Sequence, residues 1–165
     1  IHRMILENGS GISNADSYCS IEEADQYNEG RGNIKWLFSI KSEKEASLVR
    51  ACDYIEKAYG ELWLGSKCTE TQRLSYPRFG ITDSGKNQIP RWLKEAQCEG
   101  ALLELEDTGI LSWDESEGGR LNKEREGEIE KSYTQGPSSV RKFPQIYGLI
   151  KAHIKSPSQI GRMRA

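Results

Sequence analysis

Histidine is nearly missing from this chain: only His2 and His153 occur in 165 residues. None of the four cysteines, Cys19, Cys52, Cys68 and Cys98, forms a C-x-x-C pair. Zinc sites draw on clustered cysteine and histidine, so no metal centre is expected. Nucleophilic catalysis needs a base beside its nucleophile, and neither histidine sits among candidate nucleophiles. Glycine-rich phosphate loops are lacking as well: there is no G-x-x-x-x-G-K-[ST] and no G-x-G-x-x-G after a strand. The acidic cluster Asp114, Glu115 and Glu117 lacks the spacing of a calcium loop and reads as a solvated turn. The expectation is a protein with no cofactor and no enzymatic activity. No apolar run approaches the ~18 residues of a membrane span, so no membrane partner is expected. A secretory h-region is also lacking, and the cysteines read as reduced, mostly buried thiols of a protein made in the cytosol. The first residue is Ile1 rather than methionine, so residues are expected to have preceded it.

What is present is polar and unevenly charged. Hydrophobic residues make up 36% of the chain, which fits a thin core with polar arms or a large subunit interface. From Gly136 to Ala165 there are six basic residues (Arg141, Lys142, Lys151, Lys155, Arg162, Arg164) and no acidic one. The preceding 135 residues carry 17 basic against 25 acidic, a net −8. An acidic body with a basic tail is an interaction signal. The tail suits an acidic protein groove, nucleic acid, or simply a solubilising end.

The local patterns predict a mainly α fold: a small helical bundle with a β-hairpin insertion and extended N- and C-terminal arms. Residues 1–13 read as an arm, 14–112 as a helical core, 113–135 as a hairpin arm, and 136–165 as a C-terminal helix and basic tail. Ser20 with Glu23 forms a capping box for a first helix that Gly30 and Gly32 stop. Ser42 to Glu45 reads as a second box, opening a helix to Tyr59 with Gly60 beyond it. Leu48, Cys52, Ile55 and Tyr59 fall on one face of that helix, widened by Val49 and Ala51, while Asp53 and Glu56 fall on its solvent side. Thr69 to Gln72 reads as the cap of a short helix ending before Pro77. Pro90 opens a helix to about Thr108 that buries Trp92, Leu93, Ala96, Leu103 and Leu105. Residues 120–125 and 128–133 read as a polar hairpin around Glu126-Gly127, with Arg125 facing Glu128 and Lys123 facing Glu130. So polar a ribbon is marginal alone and expects a neighbour to order it. Phe143-Pro144 opens a last short helix carrying Ile146, Tyr147, Leu149, Ile150 and Ile154.

Several of these segments, in order, resemble a known family. They are Asn14-Ala15-Asp16-Ser17-Tyr18, Ala51-Cys52-Asp53-Tyr54-Ile55, Trp63-Leu64-Gly65, Gln72-Arg73-Leu74-Ser75-Tyr76-Pro77-Arg78, Ile89-Pro90, Ala96-Gln97, Lys123-Glu124-Arg125-Glu126-Gly127 and Phe143-Pro144. The chain is similar to the phage proteins labelled DnaT-like single-stranded DNA-binding, found among head-to-tail connector (adaptor) proteins of tailed phages. The resemblance implies a non-enzymatic structural subunit of the virion neck. It would form a homo-oligomeric ring of twelve copies joining the portal protein to the tail or nozzle proteins, in passive contact with the DNA passage. Under that reading Lys151, His153, Lys155, Arg162 and Arg164 are candidates for portal contact. Lys123, Arg125, Glu128, Glu130 and Tyr133 are candidates for subunit contact. The family label itself suggests the alternative, a single-stranded DNA-binding module. Tyr76-Pro77-Arg78-Phe79 is the most site-like local motif: its rings could stack nucleobases, or pack while Pro77 stiffens a loop.

Overall fold

The computed structural model describes residues 3–81, 87–112 and 141–156. Five α-helices carry the fold among these residues: α1 Ile21–Glu29, α2 Ile34–Leu37, α3 Lys41–Tyr59, α4 Arg91–Glu106 and α5 Pro144–Ile150. Between α3 and α4 lies a two-stranded antiparallel pair, β1 Ser66–Lys67 and β2 Arg78–Phe79, in the register Ser66 to Phe79 and Lys67 to Arg78. The mainly helical class expected from the sequence holds. The hairpin expected over 120–133, and Trp113, lie outside the described residues.

The α3–α4 pair is the spine, with α5 laid against α4 and α1 and α2 flanking. Gly100 on α4 is where the three long contacts converge. A β-carbon there would stand 3.1 Å from the Ala51 methyl of α3 and 3.2 Å from Ile146 Cδ1 of α5. A side chain there would have to push these neighbours back by a few tenths of an ångström. The apolar stripe Leu48, Cys52, Ile55 and Tyr59 is buried, as its helical spacing predicts. Leu93 and Ala96 of α4 are buried, while Trp92, Leu103 and Leu105 pack at the margin of the core.

The capping box at Ser20 forms: the Glu23 amide donates to Ser20 Oγ at 3.1 Å and the Ser20 amide donates to Glu23 at 2.9 Å. The second expected box does not. Helix α3 begins one residue before Ser42, with Ile40 at its N-cap and no side-chain cap. Nor does a helix follow Thr69, although Thr69 and Gln72 exchange the bonds of a capping box: the Gln72 amide donates to Thr69 Oγ1 at 3.1 Å and the Thr69 amide to Gln72 Oε1 at 2.9 Å. Gln72 Nε2 then donates to Leu74 O and Pro77 O, holding a turn where helical bonds would otherwise run. The Tyr76–Pro77 peptide in this turn is cis. Gly60 closes α3 in right-handed geometry.

The N-terminal segment is extended and lies along the body. Leu6 bridges Ser17, and the buried carboxylate of Glu7 accepts the amides of Gly9, Gly11 and Ile12. The C-terminal segment is tied down too. After α5 and a 3-10 turn, Lys151–His153, the chain bridges Ile154 to Trp63, with Leu64 donating to His153 O and Lys155 to Leu62 O.

Candidate nucleic-acid interface

Aromatic rings fill the space where β1, β2 and the C-terminal return meet α3 and α4. Tyr76 stands edge-on to Tyr18, Trp63 and Trp92, with centroids 6.4, 5.3 and 5.6 Å away. It is fully buried. Each such pair adds roughly 0.5–1.5 kcal/mol beyond area burial, so Tyr76 is a centre of the core and no base can reach its faces. Arg78 is also committed. Its guanidinium donates to Leu64 O and Gly65 O at 2.8 Å each and to Ser75 O at 3.1 Å. Burial lowers its pKa from the ordinary value. Arg78 clasps two loops together rather than waiting for a phosphate. Phe79, the second ring of the motif, is half exposed.

Three polar side chains, two of them buried, escape a reading of the sequence. Glu56, expected on the wet side of α3, is half-buried and accepts the Tyr18 hydroxyl and both the amide and hydroxyl of Ser75. Burial, then the Glu56 charge, pushes the Tyr18 phenol well above its usual range. Gln97 is fully buried on α4; it accepts the Tyr18 amide at 3.0 Å and donates to Ser17 Oγ and Leu48 O. Glu104 accepts Arg50 at 2.9 Å and the Gly109 and Leu111 amides, closing the end of α4. The signal available was polarity inside an apolar stripe, at Gln97 and Glu104. For Glu56 there was none, because the loop that covers it is remote in sequence.

The C-terminal segment has a different character. Pro144, Gln145, Gly148, Lys151 and Ala152 are exposed along the outer side of α5 and its turn, preceded by exposed Lys142. Lys142 Nζ sits 4.9 Å from the centroid of the half-buried Tyr147 ring. Arg141 lies 5.6 Å from the Phe143 ring and donates to Ile110 O. The His153 ring stacks flat on Trp92 at 3.7 Å, joining residues 61 positions apart that no local pattern connects. Among the described residues no ion pair involves Arg141, Lys142, Lys151 or Lys155. Thus Lys151, His153 and Lys155 share one region. Arg162 and Arg164, and the hairpin candidates Lys123, Arg125, Glu128, Glu130 and Tyr133, lie outside the described residues. The indole N–H groups of Trp63 and Trp92 have no hydrogen-bond partner among the described residues.

The family described as "Putative DnaT-like ssDNA binding protein" matches residues 2–165. The chain belongs to that family. Membership covers the acidic body and the basic C-terminal segment alike. No curated protein and no solved structure matches the chain. Among the described residues no group of three or more histidine, cysteine, aspartate or glutamate side chains is placed to hold a metal ion. No described helix is long and apolar enough to cross a membrane.

Proposed function

We propose that this member of the DnaT-like family binds single-stranded DNA along the outer side of α5 and the turn that follows. In this reading Lys142, Lys151 and Lys155 meet phosphates, and Tyr147 offers ring surface to a base. The observation that carries it is the charge of this segment: among the described residues its cations make no ion pair, Arg141 and Lys142 face rings and a carbonyl, and no acidic residue occurs between 136 and 165. A strip of cations interleaved with aromatic surface is what sequence-tolerant single-strand binding requires. The test is fluorescence anisotropy of a labelled thymidine oligonucleotide, titrated between about 50 and about 200 mM salt. Affinity that falls steeply with salt is expected. Absence of binding at the lower salt defeats the reading.

A second reading is the one the resemblance implies: a head-to-tail adaptor subunit of a tailed-phage virion, forming a ring between portal and tail proteins in the neck. The observation favouring it is an apolar edge on α2. Trp36 is buried and donates to Asp25 at 2.8 Å, which turns Ile34, Phe38 and Ile40 outward at 64%, 84% and 62% exposure. Large apolar side chains grouped this way suit a protein partner. Mass photometry of the chain alone and with portal particles tests it: ring-sized additions to the portal are expected, and unchanged portal mass rejects the adaptor.

A further inference from the structure

Two buried thiols from distant parts of the chain meet at the junction of α1 and α4. Cys19, just before the α1 cap, and Cys98, in the middle of α4, bring their sulfurs to 3.4 Å across 79 residues of sequence. A disulfide bond is about 2.05 Å long, so closing it needs little more than a small side-chain adjustment. Both thiols line a cleft of about 330 Å³ that Glu23, Tyr27, Lys94 and Glu95 also border. The cleft gives a small reagent a route to sulfurs that are themselves almost fully covered. We propose that Cys19 and Cys98 form a reversible two-thiol modification site, closed to a disulfide by a small hydroperoxide.

In the proposed order Cys19, just before the α1 cap, reacts first and Cys98 resolves; the hydrogen bond between the two sulfurs, then burial, raises the pKa of Cys98 above the ordinary thiol value. The Cys19 thiolate attacks one peroxide oxygen, forming a sulfenic acid and releasing hydroxide, which takes up a proton as water. The Cys98 thiol then gives up its proton and attacks the Cys19 sulfur. The S–S bond forms and the S–O bond breaks, with the second oxygen leaving as water. Two thiols are oxidised by two electrons and one peroxide is reduced to two waters. Cys52 is buried elsewhere and Cys68 is partly exposed on its own loop, so neither competes for the resolving step. None of this depends on nucleic-acid binding.

Peptide mapping of the intact chain after hydrogen peroxide tests the site, with partly exposed Cys68 as the internal control for oxidation. The expected result is a Cys19–Cys98 linked peptide that dithiothreitol removes. A rise in melting temperature on the order of 10 °C should accompany it, since the bond closes a long loop. Cys98→Ser should abolish the link and leave Cys19 trappable as a sulfenic acid. Oxidised Cys68 without any Cys19–Cys98 link overturns the proposal, as does a link that appears after unfolding in denaturant but never in the folded chain.

Discussion

The body and the C-terminal segment handle positive charge in opposite ways. In the body, many cations are answered by carboxylates, Lys44 by Asp25, Arg50 by Glu104, Lys94 by Glu23, Arg91 by Glu95, and Arg73 by Asp16 and Asp53, although Arg78 is held by carbonyls. In the C-terminal segment Arg141 and Lys142 rest on rings and a carbonyl instead. Exposed pairs of the first kind contribute little to stability, roughly 0–1 kcal/mol each. A net acidic protein thus carries a C-terminal stretch with six basic and no acidic residues, which the overall charge of −2 conceals.

If the body's polar contacts are structural, the strongest blow to it is Gln97→Leu, which keeps volume and removes the amide. The Tyr18 amide and Leu48 carbonyl would lose partners in a fully buried place. A loss of about 3 kcal/mol is expected in urea unfolding, with oligonucleotide affinity of the still-folded fraction unchanged. The converse change is Lys142→Ala, Lys151→Ala and Lys155→Ala together. Anisotropy should show affinity reduced about tenfold or more and the salt slope shallower by about 2, from roughly 0.7 per phosphate contact, with the melting temperature little altered. Arg91→Ala, removing an exposed cation already paired with Glu95, should leave both readouts unchanged and sharpens the contrast.

The comparison also shows what could be seen in the sequence. Helices α1, α4 and α5 were legible because apolar spacing and terminal residues agree there, as with Ser20 and Glu23 or Pro144 in the first turn of α5, while α3 was legible from its apolar stripe alone, its expected cap at Ser42 not forming. The short β pair was not, since two residues per strand are too few for alternation to show. The Thr69–Gln72 pattern misled because its side chains make capping bonds around a turn held by Gln72, and helix signals are local while that turn is fixed by tertiary contacts. Of the candidate interface, the basic composition was evident. The Lys142–Tyr147 and Trp92–His153 contacts were not, because the second joins residues from two remote helical segments.

Smaller effects follow at the body's ion pairs. Glu104→Gln should cost about 1–2 kcal/mol, because a buried acceptor of three donors loses its charge while half-exposed Arg50 returns to water. A smaller effect still concerns Glu23. Burial opposes its charge, but Lys94 at 2.7 Å and the Ser20 bonds outweigh that and hold its pKa below the ordinary 4.5. Its contribution is therefore complete above about pH 4.5 and lost as the pH falls through the lower folded value. With the carboxylate side chain 42% exposed, Glu23→Gln should flatten the acid limb of the stability curve by only a few tenths of a kcal/mol, measured by urea titration from neutral to acidic pH.

The bridge from Ile154 to Trp63 has a geometric corollary. It fastens the segment after α5 to the loop beyond α3, so Lys151 and Lys155, on either side of the bridge, are held in fixed places on the body and cannot swing away from it as a free tail would.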